Sequence, residues 1–150
     1  MKSKLWRRLG ITVAVLLIFP FLTAGCDSDS SGTPAEIIAL WQLQEFILDD
    51  GTTTAVDDPA KYTIDFQAGG DVSIQADCNR CSGRYFVDGS SLAFSPPMAC
   101  TIAACLPGSF DGQFQVALST VSSYEITDRS LFLHYAGGEL RLTPAPALFQ

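Results

Sequence analysis

A chain of 150 residues is expected to fold as one domain, and its formal net charge of −7 at pH 7 limits its partners. Residues 1–25 hold four of the nine Lys and Arg residues and no Asp or Glu, which leaves the remainder with five basic and 16 acidic residues, a net charge of −11. Phosphate backbones and anionic lipid headgroups repel such a surface. The composition therefore argues against nucleic acid partners and against membrane binding through basic residues.

The N-terminal segment has the layout of an export signal. Four basic residues precede an apolar run from Leu9 to Leu22, which Pro20 interrupts. A membrane-spanning helix needs about 20 uninterrupted apolar residues, so a cleaved signal peptide at 1–25 is favoured over a permanent membrane helix. Residues 22–26 (LTAGC) resemble a bacterial lipobox, in which the Cys26 thiol receives a diacylglycerol and the signal is cut before it. A plain signal peptide followed by an unrelated cysteine is the alternative.

A polar tether follows the predicted lipidation site at Cys26. Residues 26–36 contain Gly32 and Pro34 and no apolar periodicity, which predicts irregular structure. The folded domain is predicted at 37–143, and 144–150 is predicted to be an irregular tail. The expected location is the bacterial cell envelope, where a lipid anchor in the inner or outer membrane holds the domain in the periplasm.

Short segments of alternating polarity predict strands through most of the domain. They are Ile38–Leu48, Tyr62–Phe66, Val72–Ala76, Gly83–Val87, Leu92–Phe94, Tyr124–Ile126, Leu131–Tyr135 and Leu140–Leu142. Residues 43–46 break the alternation in the first segment, which predicts a β-bulge. Turn sequences at 68–71 and 88–90 predict two hairpins. Residues 52–60 are predicted as a loop, and Pro96-Pro97 is predicted to end the second hairpin.

One stretch changes to a helical period. Apolar residues spaced i, i+4, i+7, i+8 and i+11 form one face of a helix over about 109–121, namely Phe110, Phe114, Ala117, Leu118 and Val121. Ser109 or Asp111 is available to cap its N-terminus. The stripe favours packing against a sheet over an aromatic ligand groove.

Strands joined by short turns pair antiparallel, and a single helix must cover a face or an end of their sheet. The fold class predicted is therefore α+β, mainly β. It is a strongly curved antiparallel sheet or partly open barrel of about eight strands with one packed helix.

Four further cysteines lie within residues 78–105. A C-x2-C pair followed after 18 residues by a C-x4-C pair is near zinc-ribbon spacing, and C-x-x-C is also a redox motif. The export signal places the domain in an oxidising compartment, which favours two structural disulfides. The C-x-x-C motif lies between two strand patterns rather than at a helix N-terminus, which argues against redox chemistry. Spacing alone does not choose among the three possible connectivities.

The sequence contains no catalytic constellation. His134 is the only histidine and lies in a strand pattern, and no G-x-S-x-G motif is present. The glycine pairs at 69–70 and 137–138 lie in turns rather than at the start of a helix, so they do not form phosphate-binding loops. We predict a protein that is not an enzyme and has no cofactor or metal.

A set of motifs occurs in a fixed order along the chain. They are Trp41-x-Leu43, Asp77-Cys78-Asn79 with Gly83-x-Tyr85, Thr101-x3-Cys105, Phe114-x2-Ala117-Leu118-x2-Val121-x2-Tyr124, and Leu131-x-Leu133. Over residues 38–143 this order resembles the META (HslJ-like) domain family. The resemblance implies a curved sheet or partly open barrel with one helix, often on envelope lipoproteins linked to heat-shock response, antibiotic tolerance or virulence. It implies no common catalytic activity or cofactor. The family's usual glycine before the Cys-Asn pair is Asp77 here.

The resemblance also implies how the cysteines pair. Cys78 and Cys105 occupy the positions that the family commonly fills, and Cys81 and Cys100 are an added couple. We therefore expect nested disulfides Cys78–Cys105 and Cys81–Cys100, which tie the third and fourth strands to the loop before the helix.

Three hypotheses for function follow from these observations. The first is a lipid-anchored, non-enzymatic envelope domain that binds a partner protein or a small apolar ligand, or that buffers envelope stress. The second is a periplasmic thiol-disulfide redox protein, and the third is a zinc-binding module that uses the four-cysteine cluster.

Overall fold

The computed structural model describes residues 34–146. The predictions of a signal peptide, of lipidation at Cys26 and of most of the tether lie outside these residues, as do the last four residues of the predicted tail.

Strands make up most of the described chain. The elements are β1 Leu40–Leu48, β2 Thr53–Ala55, β3 Tyr62–Phe66, β4 Asp71–Ala76, β5 Asn79–Asp88, β6 Ser91–Cys100, α1 Asp111–Ser119, β7 Ser123–Thr127, β8 Ser130–Tyr135 and β9 Gly138–Pro144, with a 3-10 turn at Pro59–Lys61. Every strand pair is antiparallel. The predicted fold class, α+β and mainly β with one helix, is confirmed.

The sheet closes into a ring. Its strand order is β2-β1-β3-β4-β5-β6-β7-β8-β9, and β1 also pairs with β9. One edge of β1 pairs with β9 along its length, while the other edge pairs with β3 through residues 40–42 and with β2 through residues 45–47. The seam between β6 and β7 is weak because the two strands share only the pair Ser91 and Ser123. The partly open barrel that the sequence predicts is therefore confirmed.

The two predicted hairpins and the bulge are also present. β3 pairs with β4 and β5 pairs with β6 in antiparallel register. The β1–β9 register shifts between Leu43 and Glu45, which places a bulge where the alternation of the sequence breaks. The other edge of β1 changes partner at the same place, from β3 before the bulge to β2 after it.

Several element boundaries differ from the sequence predictions. Residues 53–55, predicted as part of a loop, form β2 because the free second half of β1 offers them an edge. Pro96-Pro97 does not end the second hairpin: β6 continues to Cys100 through a cis peptide bond and a register shift opposite Ser82 and Arg84. Prolines are tolerated there because the other edge of β6 is largely unpaired.

The helix is shorter than the predicted 109–121. It begins at Asp111, and the N–H of the preceding residue, Phe110, donates to the Tyr62 hydroxyl at 2.9 Å. It ends at Ser119, because the backbone angles of Thr120 are no longer those of an α-helix. Phe110 occupies the N-cap position, but the Ser109 hydroxyl accepts a hydrogen bond from the Asp111 N–H at 3.2 Å, so the predicted Ser109 does cap an exposed N–H at the start of the helix.

The barrel interior is filled by inward-facing side chains of the strands and by one face of α1. The largest fully buried side chains include Phe46, Phe66, Tyr85 and Phe114. The ring centroids of Phe66 and Tyr85 lie 4.8 Å apart, and those of Tyr62 and Phe114 lie 6.0 Å apart in an edge-on arrangement. The buried residues of α1 are Phe114, Ala117 and Leu118, which confirms the stripe as a packing face.

Candidate functional site

A ten-residue loop of unusual composition joins β6 to α1. Residues 101–110, here called the clamped loop, carry no charged side chain and form no regular element. Ile102 is 99% exposed and Leu106 is 81% exposed, the highest values among the large hydrophobic side chains of the described residues. Folding buries neither side chain, so both are available to contact a partner.

Two disulfides hold the clamped loop. Cys78 bonds to Cys105 with Cα atoms 5.5 Å apart, and Cys81 bonds to Cys100 with Cα atoms 4.0 Å apart. They are the two pairs that the family resemblance implies. Cys81 and Cys100 face each other across β5 and β6, immediately before the loop begins. All four thiols are used in these bonds, so in this structure they are not free to ligate zinc.

Asn79 is the only buried polar residue among residues 34–146, with 2% of its surface exposed. Its side-chain oxygen accepts hydrogen bonds from the Ala103 N–H at 2.7 Å and from the Thr101 hydroxyl at 3.1 Å. Its amide nitrogen donates to the Ala103 carbonyl at 3.0 Å and to the Asp111 carboxylate at 3.0 Å. Both sides of the amide are satisfied, and the clamped loop is tied to β5 and α1 through one side chain.

Backbone contacts fix the two ends of the clamped loop. The Thr101 N–H donates to the Arg80 carbonyl at 2.9 Å, and the Arg80 N–H donates to the Thr101 hydroxyl oxygen at 2.9 Å. At the other end Tyr62 accepts from the Phe110 N–H, and its hydroxyl lies 3.3 Å from the Ser109 hydroxyl. Ile102 and Leu106 are therefore displayed from a loop whose backbone is anchored to β3, β5 and α1.

Asp77 precedes this site in a left-handed backbone conformation. Its φ is 53°, a region that favours glycine and that Asp and Asn tolerate better than other residues. A glycine, which the resemblance described above implies at this position, would adopt this conformation without strain. The Asp77 carboxylate also lies 3.6 Å from the Lys61 ammonium.

A groove of 220 Å³ runs beside the clamped loop. Residues 106–110 form one wall, and the other wall consists of Val56, Asp57, Asp58, Lys61, Tyr62 and Asp77. Lys61 is paired with Asp77, while Asp57 and Asp58 have no ion-pair partner within the described part of the chain. The groove therefore combines an apolar wall with two uncompensated carboxylates.

Further concavities are formed by described residues of the barrel. A pocket of 170 Å³ opens between β6 and the end of α1, beside Phe94, Met98 and Ser119. A broad depression of 460 Å³ covers the outer face of β4, β5 and β6, where its rim is formed by Arg80 and small exposed residues. Neither contains a pair of titratable groups arranged for catalysis.

His134 lies on the outside of the barrel in β8. Its Nδ1 atom is 3.3 Å from a Glu139 carboxylate oxygen, on the residue directly opposite in β9. This is the arrangement of a half-exposed cross-strand pair, as expected for a surface histidine.

Metal-binding clusters and membrane-spanning helices are both absent from the described residues. Within 34–146, no group of three or more His, Cys, Asp or Glu side chains is arranged to hold a metal ion. No helix in the same range is long and apolar enough to cross a membrane.

The sequence predicted the cysteines of this site but not its other parts. No local feature of the sequence indicates that Asn79 is buried and makes several hydrogen bonds. Its hydrogen-bond partners lie 22 to 32 residues further along the chain. The exposed pair Ile102 and Leu106 could have been found from the sequence, since residues 101–110 combine two large aliphatic side chains with no charge and no strand or helix periodicity.

The fold and the clamped loop define a small antiparallel barrel closed by one helix and reinforced by two disulfides. Residues 37–147 match the META domain, so the chain belongs to the META domain family, as its motifs predicted. None of the curated proteins matches the chain.

Solved structures share this fold at low sequence identity. The NMR structure of a protein from Burkholderia xenovorans is 24% identical with a TM-score of 0.62, over 73% of this chain and 83% of that one. A DUF4847 family protein from Bacteroides vulgatus is 14% identical with a TM-score of 0.51, over 71% and 92%. A lipocalin-like protein from Bacteroides uniformis is 21% identical with a TM-score of 0.50, over 73% and 99%. At these identities the likeness concerns the fold alone.

Proposed function

We propose that this META domain is a lipid-anchored, non-enzymatic module of the bacterial cell envelope that binds a partner protein through the clamped loop. The supporting observation is the display of Ile102 and Leu106 from a loop held by two disulfides and Asn79. A loop that is ordered before binding loses less conformational entropy on association, which raises affinity. Small exported domains commonly use disulfides to stabilise the fold, which would explain the two disulfides here. Stabilisation of the fold does not explain why the loop exposes aliphatic side chains.

A protein partner fits the structure better than a small apolar ligand. A small barrel either fills its interior with side chains or holds one ligand there, and here buried aromatic residues occupy the interior. The groove of 220 Å³ and the pocket of 170 Å³ between β6 and α1 are smaller than the roughly 300–1,000 Å³ of typical ligand pockets. The 460 Å³ depression is a wide surface bounded by exposed Ser, Ala and Thr side chains rather than an apolar enclosure.

The anchoring part of the proposal rests on the lipobox-like residues 22–26 and the polar tether after them. Its test is Cys26→Ser, expressed in a bacterial host and analysed by intact-protein mass spectrometry. The wild type should carry a diacylglycerol on a chain that begins at Cys26, and the variant should keep its signal peptide and lack the lipid. A variant with the same mature mass as the wild type would rule out the lipid anchor.

The binding part is tested by site-specific photo-crosslinking in the native envelope. A photoreactive side chain at position 102 or 106 should give discrete protein adducts. The same group at Phe86, which is 60% exposed on β5 and distant in sequence from the loop, is the matched control. Equal adduct patterns from positions 102 and 86 would contradict binding through the clamped loop.

A further inference from the structure

We infer that the groove beside the clamped loop receives an extended segment of a partner protein in which a Lys or Arg lies next to apolar residues. This inference rests on the proposed function and adds the chemistry of the partner.

The apolar requirement comes from the clamped loop. Leu106 lies in the wall of the groove, and Ile102 lies four residues earlier on the same uncharged loop. Covering both side chains removes apolar surface from water without bringing any charge of the loop into the contact. A partner segment that covers this loop must therefore offer apolar side chains next to the residue that enters the groove.

The basic requirement comes from the opposite wall. Asp57 and Asp58 are exposed and have no cationic partner among residues 34–146, whereas the third carboxylate, of Asp77, is already paired with Lys61. A groove of 220 Å³ has room for one long side chain rather than for a folded element. A Lys or Arg side chain matches both features, because its aliphatic stem can follow Leu106 while its charge meets the carboxylates.

The same charges disfavour other occupants. An anionic membrane surface would bring its headgroups against Asp57 and Asp58 and against a chain whose net charge beyond residue 25 is −11. A second copy of this chain, docked about a two-fold axis, would place like carboxylates against one another. The net negative charge of the chain attracts a basic segment, and the carboxylates in the groove then favour binding of a Lys or Arg side chain.

The experiment is a selection of random 12-residue peptides on phage against the purified, oxidised full-length protein. Enriched peptides should carry Lys or Arg next to Leu, Ile, Val, Phe or Met. Binding of these peptides should weaken more than tenfold in Ile102→Ser/Leu106→Ser. It should weaken several-fold in Asp57→Asn/Asp58→Asn, which should also lose the dependence of affinity on salt. Phe86→Ser is the matched control and should bind as the wild type does, with circular dichroism confirming that each variant is folded.

The possible failures are distinguishable. Peptides that lack basic residues and bind Asp57→Asn/Asp58→Asn normally, but still need Ile102 and Leu106, would overturn this inference and leave the proposed binding function in place. Peptides that bind Ile102→Ser/Leu106→Ser as tightly as the wild type would overturn the inference as well. If position 102 also gave no specific adduct in the envelope, the proposed function itself would fail.

Discussion

The side-chain amide of Asn79 donates a hydrogen bond to the carboxylate of Asp111, with the two atoms 3.0 Å apart. This bond joins the first residue of β5 to the first residue of α1. The oxygen of the same amide accepts from the Ala103 N–H in the middle of the clamped loop. A single buried side chain therefore sets the position of the loop relative to both the barrel and the helix.

Replacing Asn79 with Asp should destabilise the domain in a pH-dependent way. The substitution keeps an oxygen for the Ala103 N–H but places a second carboxylate against Asp111 and the Ala103 carbonyl. Like charge and burial raise the pKa of the introduced carboxylate above its unfolded value of about 3.9. Stability is therefore retained at low pH and lost as pH rises through the raised pKa, so the loss relative to wild type should be larger at pH 7 than at pH 4.

The matched control for this prediction is Asn79→Ala. It leaves the Ala103 N–H and part of the Asp111 carboxylate without partners, which should cost about 1–3 kcal/mol. The difference between wild type and this variant should change far less between pH 4 and pH 7. Urea unfolding at both pH values measures the two effects, and an equal pH response of the two variants would contradict the proposed geometry.

Each disulfide should contribute about 3 kcal/mol to the free energy of unfolding, because the bonds close loops with sequence separations of 27 and 19 residues. Cys78→Ser/Cys105→Ser should also speed hydrogen exchange at the Ala103 amide, since Cys105 is part of the clamped loop. Cys81→Ser/Cys100→Ser should affect that amide less, because it removes a bond between the neighbouring strands β5 and β6. Non-reducing peptide mapping that joined Cys78 to Cys81 would contradict both assignments.

Two substitutions of Asp77 should separate the effect of backbone strain on stability from the effect of losing the carboxylate charge. The left-handed conformation costs most residues roughly 1–2 kcal/mol and costs glycine nothing. Asp77→Ala should therefore be less stable than Asp77→Gly by about 1 kcal/mol, although both lose the contact with Lys61. Thermal or urea unfolding of the two variants measures this difference. Equal stability would mean that Asp77 does not hold this conformation in solution.

The sequence predicted the fold well where local patterns agreed with the tertiary structure. Residues 62–66 and 72–76 alternate, have turn residues between them, and form the β3–β4 hairpin. The predictions failed where a distant partner decided the outcome. Thr53–Ala55 have no alternating pattern and become a strand only because β1 has a free edge. Pro96 and Pro97 look like strand terminators locally, yet they lie on an edge where a missing N–H is tolerated.

The candidate site was predictable only in part. The pairing of Cys78 with Cys105 came from the family resemblance, because three connectivities satisfied the spacing. Asn79 forms its hydrogen bonds with residues that the β6–α1 connection brings next to it. No periodicity in the sequence predicts that these residues lie close together. Asp111 illustrates the same limit, since a helix-capping residue by local rules became the hydrogen-bond partner of Asn79 instead.

The buried face of α1 should contribute far more to the stability of the domain than the exposed face of the same helix. Phe114 is fully buried and contacts the Tyr62 ring edge-on, so Phe114→Ala should cost about 3–5 kcal/mol through the cavity it leaves. Val116 lies on the same helix with 67% of its surface exposed, and Val116→Ala should change stability by less than about 0.5 kcal/mol. Urea unfolding of the two variants checks the contrast. A Phe114→Ala protein as stable as Val116→Ala would mean that this helix does not close the barrel.

Alkaline pH should weaken the fold through two tyrosines. Burial, together with the negative charge of Glu36, raises the pKa of Tyr124 above its ordinary value of 10.0, and burial with the charge of Asp49 raises the pKa of Tyr135 in the same direction. In the unfolded chain these phenols ionise near pH 10, before they do so in the folded protein. The free energy of unfolding therefore falls as pH rises from about 10 to the raised pKa values.

The test of this prediction compares the wild type with Tyr124→Phe and with Tyr124→Phe/Tyr135→Phe. Phenylalanine keeps the aromatic ring and removes the ionisable hydroxyl, so the variants should lose less stability than the wild type between pH 9 and pH 11. The double variant should lose least, because it lacks both of the groups that favour the unfolded state at high pH. Urea unfolding at a series of pH values gives the slopes, and the absorbance of tyrosinate in the wild type shows when the phenols ionise. Parallel stability curves for all three proteins would show that these tyrosines ionise equally in the folded and unfolded states.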